Sequence, residues 1–210
     1  MQTRKGQSNE DESMKIIENE IGPHSYNEQE WPIVRRVIHS TADFDFARDN
    51  KIIFHKDAVQ SALAGLKNGC SIIVDVNGII GLMNKQNPKD FGNSVVCNIS
   101  EPSLMEEAKK QGKTRAEMSM RVAKEDMNDG IVVIGNAPTA LLEVMDMIME
   151  GITKPALVIG IPVGFVSAVE SKDALAKMDI PFITNLGRKG GSPCASAIVN
   201  ALYKLLRQGN

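Results

Sequence analysis

The sequence lacks the features that mark a secreted, membrane-spanning or nucleic-acid-binding protein. Cysteine is scarce, and Cys70, Cys97 and Cys194 are odd in number and scattered, which favours reduced structural thiols over disulfides or metal ligands. No apolar run approaches the length of a membrane span, and the opening MQTRKGQSNEDESMK has no apolar core of a signal peptide. The 24 basic and 26 acidic residues nearly cancel, so charge gives no reason to expect a nucleic-acid partner. We therefore expect a cytoplasmic protein with neither a membrane partner nor a nucleic-acid partner.

Common nucleotide-binding and hydrolase motifs are also missing. Neither GNAPTA nor GIPVGF, the two glycine-containing turns that follow apolar runs, matches GxGxxG, and the chain contains no GxxxxGK[ST]. The absence of GxSxG counts against an α/β-hydrolase. A nucleotide-binding enzyme remains an alternative only if GNAPTA serves as a phosphate loop.

Residues 130–149, GIVVIGNAPTALLEVMDMIM, form the stretch around which the chain is organised. The uninterrupted run IVVI is typical of a parallel strand buried on both faces, Gly135 permits a turn, and Pro138 fits the first turn of a helix. The free N–H groups of such a helix N-terminus favour an anionic ligand, so Asn136 and Thr139 are candidate ligand contacts. A similar unit spans residues 155–175, and two such units side by side predict a crevice at the carboxyl ends of their strands.

Five apolar runs alternate with helical patterns and predict one α/β domain over residues 1–210. The expected fold is a three-layer α/β/α sandwich with a five-stranded, mostly parallel sheet, because right-handed crossovers place helices on both faces. The predicted strands are residues 71–74, 94–98, 131–134, 156–159 and 182–184. The predicted helices are residues 10–19, 27–40 and 57–67 before the sheet, 102–111 and 114–127 between the second and third strands, and 192–207 at the end.

Arg36 and His39 form the first polar cluster, in the segment RRVIHSTADFDFA. Their spacing of three residues places them on one face of the predicted helix. Histidine transfers protons near neutral pH, and an arginine one turn away can hold a carboxylate beside it. A surface arginine and a hydrogen-bonded histidine at a helix end explain the same pattern, so spacing alone leaves both interpretations open. A metal site of His39 with Asp43 and Asp45 is disfavoured, since turn formation explains the aspartates more simply.

Two further segments carry candidate anion contacts. In KTRAEMSMR, Thr114 is a predicted helix cap and Arg115 lies in the first turn, where the helix dipole disfavours a cation. That conflict suggests a ligand carboxylate, although an exposed arginine fits equally well. The turn at residues 186–193 brings Gly190, Gly191 and Ser192 to the start of the last helix, where the backbone and two neighbouring cations can cradle an anion. A plain helix-entry turn is the alternative.

Taken together, these segments closely resemble the precorrin-8X methylmutase family of cobalamin biosynthesis, whose members are also called cobalt-precorrin-8 methylmutases. The resemblance covers nearly the whole chain. It rests, in the order found in the family, on ESMKII, RRVIHSTADFDFA, KTRAEMSMR, IVVIGNAPTALLEV, PALVIGIPVGFVSAVESKDAL and PFITNLGRKGGSPCASAIVNAL. It implies an isomerase that moves a methyl group from C11 to C12 of ring C of a corrinoid, giving hydrogenobyrinate or its cobalt-containing counterpart, cobyrinate.

The resemblance also implies roles for individual residues. The family's proton-transferring histidine corresponds to His39, and its substrate contacts correspond to Ser13, Arg36 and Arg115. Members of the family need no organic cofactor, and no protein-bound metal is expected. They work as homodimers that bind the corrinoid substrate near the subunit interface. A non-catalytic corrinoid carrier, which would use the same cleft without the chemistry of His39, is the remaining alternative.

Overall fold

The computed structural model describes residues 3–209, which fold into ten α-helices and one six-stranded sheet. In chain order the helices are α1 (Arg4–Ile21), α2 (Trp31–Thr41), α3 (Ala58–Lys67), α4 (Asn77–Leu82), α5 (Gln86–Phe91), α6 (Ser103–Gln111), α7 (Arg115–Val122), α8 (Pro138–Met149), α9 (Ala168–Leu175) and α10 (Ser192–Gln208). The strands are β1 (Ile52–Phe54), β2 (Ile72–Val74), β3 (Val95–Val96), β4 (Ile131–Ile134), β5 (Leu157–Gly160) and β6 (Phe182–Asn185). A 3₁₀ turn, Phe44–Ala47, follows α2.

Helices cover both faces of the sheet, as the three-layer prediction requires. In β4, Ile131 and Val133 point into a core formed with α1, α2, α3 and α10, whereas Val132 and Ile134 point into a second core formed with α7, α8 and α9. This alternation follows from the pleat of a strand, which turns successive side chains to opposite faces. Because both faces are buried, every position of β4 is apolar, and this is the pattern that identifies the strand in the sequence.

The sheet has the strand order β1-β6-β5-β4-β2-β3, and every neighbouring pair except β1 with β6 is parallel. The five predicted strands are confirmed, and their ends differ from the prediction by at most two residues. The predicted count of five is nevertheless wrong, because β1 adds an antiparallel edge strand between α2 and α3. β1 has three residues and pairs Ile52 with Asn185 and Phe54 with Ile183. A run so short becomes a strand only by pairing with β6, so its local sequence carries no signal.

Several helix boundaries also differ from the prediction. α1 begins at Arg4 instead of residue 10, and it ends at Ile21 instead of residue 19. The helix predicted for residues 114–127 ends at Val122, and residues 123–129 continue as turns. Thr114 caps α7 as predicted, since its hydroxyl accepts the N–H of Glu117 at 3.2 Å and the Glu117 carboxylate accepts the N–H of Thr114 at 2.7 Å. This reciprocal pair fixes the residue at which α7 starts.

Gly130→Ala is expected to lower the free energy of unfolding by about 1–3 kcal/mol, the usual cost of overpacking. A Cβ at Gly130 would lie 2.6 Å from the carbonyl oxygen of Asp126 and 3.1 Å from that of Ser71, and neither backbone atom can rotate away. Urea denaturation would measure the loss as a lower midpoint at unchanged slope. Gly81→Ala is the matched control, because its added Cβ meets no described atom within 4 Å. Equal stability of the two variants would contradict this explanation of the packing.

Candidate functional site

Asn136, Thr139 and the glycine turn lie at the carboxyl edge of the sheet, where β4 and β6 end. β4 and β5 are neighbours, as expected for a crevice between their two turns. The direction in which successive strands are added reverses, however, between β2 and β4. From β2 the chain crosses one face of the sheet through α4 and α5 to reach β3. From β4 it crosses the other face through α8 and α9 to reach β5 and β6. Open α/β sheets bind ligands at such a reversal. The turns that follow β2, β4, β5 and β6 therefore border the site.

The carboxylate of Asp75, the residue directly after β2, occupies the place in the turn after β4 where the sequence predicted an anionic ligand. It is fully buried, and its Oδ1 accepts the N–H of Gly135 at 3.0 Å, while its Oδ2 accepts those of Asn136 and Ala137 at 2.8 and 2.7 Å. Burial raises the pKa of Asp75, and the three hydrogen bonds oppose this shift. The prediction that these N–H groups are free is therefore wrong, and a nucleotide phosphate finds none of the three open. An acid ends the buried run SIIVD, but nothing near it in the sequence identifies the N–H groups that it accepts.

Arg115, Asn136 and Thr139 lie on the α7 and α8 side of this edge. The hydroxyl oxygens of Thr114 and Thr139 are 3.1 Å apart, which sets the start of α7 beside the start of α8. The side chains of Arg115 and Asn136 are exposed, and Thr139 is half-buried. Because the N–H groups of the turn after β4 are bonded to Asp75, the candidate ligand contacts on the α7 and α8 side are these three side chains.

Ser13 and His39 line one cavity of about 310 Å³ beside α1 and α2. Ser13 is half-buried, and its hydroxyl donates to the carbonyl oxygen of Asn9 at 2.8 Å. Partial burial lowers the pKa of His39 below its usual 6.5, the positive charge of Arg36 lowers it further, and Glu10 opposes the shift. With its pKa below 6.5, the His39 side chain is mainly neutral at pH 7 in the protein without a ligand.

Arg36 lines a neighbouring cleft of about 440 Å³. Its Nη1 donates to Oε1 of Glu10 at 3.0 Å, and the same oxygen accepts a hydrogen bond from Nζ of Lys204 at 3.1 Å. An incoming carboxylate therefore has to share these two cations with Glu10. Sequence reasoning missed Glu10 and Lys204 because each is far from Arg36 along the chain, and no local pattern links them.

The glycine turn after β6 packs closely on the turn after β5. The N–H of Gly191 donates to the carbonyl oxygen of Ile161 at 2.9 Å, and a Cβ on Gly190 would lie 2.3 Å from that same oxygen. Only glycine fits at Gly190, where φ is also +154°. Ser192 lies where several turns meet, since a Cβ on Gly135 would be 3.2 Å from its backbone nitrogen. The two glycines thus have a packing role, and Ser192 offers its hydroxyl at the edge.

Of the two cations in the glycine turn, Lys189 is paired with acidic side chains, whereas Arg188 lies over the ring of Phe165, 5.6 Å from its centroid. Nζ of Lys189 donates to Oδ2 of Asp43 and to Oδ2 of Asp45, each at 2.7 Å, so this cation is less available to an anion than predicted.

Within residues 3–209, no group of three or more His, Cys, Asp or Glu side chains could hold a metal ion. The three cysteines are free thiols, and burial raises the pKa of each. In the same described range, no helix is long and apolar enough to cross a bilayer.

The structure divides the predicted side-chain contacts into two groups. The group on the side of α1 and α2 consists of Ser13, Arg36 and His39. The group on the side of α7 and α8 consists of Arg115, Asn136 and Thr139. The glycine turn joins the first group through the hydroxyl of Ser40, which donates to the carbonyl oxygen of Pro193 at 3.5 Å. A histidine with an arginine and a hydroxyl group near it can bind an anion and transfer a proton to it.

Comparison with known proteins identifies close relatives over nearly the full length. A family model described as precorrin-8X methylmutase matches residues 9–205. A protein of Priestia megaterium named cobalt-precorrin-8 methylmutase is 47% identical over 200 residues, which cover 95% of this chain and 88% of the relative. A precorrin-8X methylmutase of Sinorhizobium sp is 36% identical over 204 residues, or 96% of this chain and 95% of the relative. The crystal structure of the precorrin-8x methyl mutase from Thermus thermophilus matches with a TM-score of 0.89 at 40% identity, covering 97% of this chain and 98% of that one.

Proposed function

The chain belongs to the precorrin-8X methylmutase family, and we propose that it moves a methyl group from C11 to C12 of ring C of precorrin-8 or cobalt-precorrin-8. It is an isomerase of cobalamin biosynthesis. The observation that carries this conclusion is the family match over residues 9–205, a range that includes every candidate site residue. The product is hydrogenobyrinate from the metal-free substrate and cobyrinate from the cobalt-containing one, in which the cobalt belongs to the substrate.

Relatives with both names occur among the matches, so both forms of the substrate belong in the test. Purified protein would be incubated with metal-free and with cobalt-loaded precorrin-8, and absorbance spectra would follow the change in the conjugated system. Conversion of at least one form is expected. If both spectra stayed unchanged apart from the effect of binding, the proposed reaction would be wrong.

We propose that His39 is the catalytic acid. A proton donated by its ring to the conjugated system near ring C makes the carbon framework electron-poor, which eases the methyl migration. Burial and Arg36 hold the pKa of His39 low in the free protein. A substrate carboxylate beside Arg36 offsets that positive charge, and so we expect His39 to take up a proton when the substrate binds. Inside a largely apolar cleft the resulting electrostatic effect on the ring is stronger than in water.

The periphery of the substrate explains the other candidate contacts. Acetate and propionate groups surround the macrocycle, and arginine is the side chain best suited to hold carboxylates. We assign Arg36 and Arg115 to this role. Ser13, Asn136, Thr139 and Ser192 supply neutral donors at the same edge, while Gly190 and Gly191 shape the backbone beneath it.

We also propose that the protein works in the cytoplasm as an isologous homodimer with the substrate near the subunit interface. The two cavities that contain His39 and Arg36 measure about 310 and 440 Å³, within the range of roughly 300–1,000 Å³ for drug-sized ligands, and a corrinoid is larger than these. Arg115 lies on the side of the sheet opposite to α2. Phe165 and Val166, in the turn after β5, are 85% and 83% exposed, and a second subunit would bury them. These features support a site that one chain alone leaves incomplete.

Light scattering of the active protein is expected to give the mass of a dimer, twice the 22.9 kDa of one chain. A monomer mass that does not change with concentration in an active preparation would overturn this proposal.

Mixing His39→Ala with Arg115→Ala shows which subunit supplies Arg115. If it comes from the partner, each mixed dimer has one intact site, and random exchange restores about a quarter of wild-type activity when the substrate concentration is well below the Kd of the Arg115→Ala site. If both residues of a site come from one chain, mixing restores none.

A further inference from the structure

Lys189 joins the glycine turn to the segment that follows the His39 helix. Its Nζ lies 2.7 Å from Oδ2 of Asp43 and 2.7 Å from Oδ2 of Asp45. Asp43 is the N-cap of the 3₁₀ turn, and its Oδ1 accepts the N–H of Asp45 at 3.1 Å. Burial alone would raise the pKa of Asp43, but the hydrogen bonds from Lys189 and from the backbone of Asp45 bring it below its usual value. The Asp43 carboxylate is thus held as an anion, and both carboxylates accept hydrogen bonds from one ammonium group.

The backbone of Lys189 is fixed from the other side by a buried cation. Lys172 on α9 is 1% exposed, and its Nζ donates to the carbonyl oxygen of Lys189 at 2.8 Å and to Oδ1 of Asn185 at 3.2 Å. Asn185 in turn donates from Nδ2 to the carbonyl oxygen of Lys189 at 3.0 Å. Burial lowers the pKa of Lys172 to about 8. Two internal donors therefore hold one carbonyl group, and the Lys189 side chain leaves a rigid turn in a fixed direction.

These contacts constrain the end of α2, where His39 lies. α2 ends at Thr41, and the Lys189 contacts to Asp43 and Asp45 begin two residues later. A second contact, from the hydroxyl of Ser40 to the carbonyl oxygen of Pro193 at 3.5 Å, joins the same two segments. The end of α2 is thereby tied to the glycine turn on both sides of its last residue. The position of the His39 ring relative to the glycine turn depends on both ties.

Stability is a poor explanation for the Lys189 contacts. The Lys189 side chain is 41% exposed, and Asp43 and Asp45 are 29% and 40% exposed, so solvent screens these ion pairs strongly. Ion pairs so close to the surface contribute little to the free energy of unfolding. Without Lys189, however, two carboxylates two residues apart repel each other, and the segment after α2 loses the position at which they are held together. The consequence of losing Lys189 is therefore mainly geometric.

We propose that Lys189 is a positioning residue for the methyl migration, which holds the end of α2 against the glycine turn so that His39 faces ring C. This inference rests on the proposed function, because it assumes that His39 acts on the substrate. Lys189 acts through Asp43 and Asp45 and need not touch the substrate. A displacement of a reacting group by about 1 Å can cost roughly 100-fold in rate, so a modest movement of α2 is enough to matter.

Lys189→Met tests the proposal, since it removes the ammonium and keeps most of the side-chain length. We expect kcat to fall about 10- to 100-fold, while the affinity for product and the midpoint of thermal unfolding stay near wild type. Lys154→Met is the matched control, because Lys154 is an exposed lysine before β5, at the opposite edge of the sheet. Wild-type turnover in the same assay separates the two claims. An inactive wild type would refute the proposed function and the role of Lys189 with it, whereas equal turnover of wild type and Lys189→Met would refute the role of Lys189 alone.

Two further variants separate positioning from direct binding. Lys189→Arg keeps the charge and should recover much of the lost kcat. Asp43→Asn with Asp45→Asn, combined with Lys189→Met, removes the repulsion and should lower kcat by less than the product of the separate effects. A kcat of Lys189→Met within threefold of wild type would overturn the proposal. So would a selective loss of product affinity at unchanged kcat, because that result would make Lys189 a substrate ligand.

Discussion

His39→Ala is expected to lower kcat by at least about 10²–10⁴-fold, the range that general acid catalysis contributes. Affinity for the product should be largely retained, because carboxylate contacts and the apolar faces of the ring supply most of the binding. The expectation rests on the position of His39 in the cavity with Ser13 and on the charge of Arg36 acting on its pKa. Single-turnover kinetics with precorrin-8 measure the loss, and titration with product measures the affinity.

His39→Asn is the control for shape, since it keeps a polar side chain but cannot become cationic. It should be nearly as inactive as His39→Ala. A rate for His39→Ala within about threefold of wild type would refute the catalytic role, because general acids contribute far more than that.

The same role predicts how activity depends on pH. Only protonated His39 is an acid, so activity should fall as pH rises. The decline of kcat/KM follows the pKa of His39 in the free protein, which burial and Arg36 place below 6.5. The decline of kcat follows its pKa in the complex, where a substrate carboxylate near Arg36 places it higher. Activity that rose with pH through this range would indicate that His39 acts as a base.

Arg36→Ala and Arg115→Ala are each expected to weaken product binding by roughly 1.5–3 kcal/mol, or about 10- to 150-fold in Kd. Each substitution leaves a substrate carboxylate without a charge-assisted partner. The effect of Arg36→Ala should be at the upper end, because the Glu10 carboxylate, which Arg36 and Lys204 share, then faces the substrate with one cation fewer beside it. Isothermal titration with hydrogenobyrinate and with cobyrinate measures both variants.

Arg35→Ala is the matched control for Arg36, since it removes the adjacent cation of α2, which pairs with Glu18. Its affinity for product should stay within about threefold of wild type. Wild-type affinity of both Arg36→Ala and Arg115→Ala would mean that the two arginines have been assigned wrongly. If only one of the two variants lost affinity for product, only the arginine changed in that variant would contact a substrate carboxylate.

Local patterns predicted the elements that carry the site, because their information lies within a few residues. The buried run IVVI, the glycine at Gly135 and the proline at Pro138 together encode β4, its turn and the start of α8. The Thr114 cap was predicted for the same reason, since its capping partner Glu117 is three residues away. The layer order follows from the alternation of strands and helices, which leaves few ways to cover both faces.

Contacts between distant segments could not be predicted in this way. Asp75 accepts N–H groups 60 to 62 residues further along the chain, and Lys189 reaches Asp43 across 146 residues. Each of these groups is an ordinary polar residue in its own segment, and only the folded sheet edge brings it to its partner. The strand β1 was missed for the same reason, because its three residues depend on β6 for their hydrogen bonds. Local sequence therefore identified candidate residues, but only the folded structure shows which of their charged groups are already paired within the protein and which can still bind a ligand.

The most direct test follows the migrating methyl group itself. Precorrin-8 carrying ¹³C in the methyl group at C11 would be incubated with the protein, and carbon NMR would locate the label in the product. The proposed reaction predicts that the label moves to C12 without a change in mass, and that His39→Ala leaves it at C11. If the wild-type protein bound the compound tightly and the label stayed at C11, the protein would be a corrinoid carrier and the proposed methyl migration would be wrong.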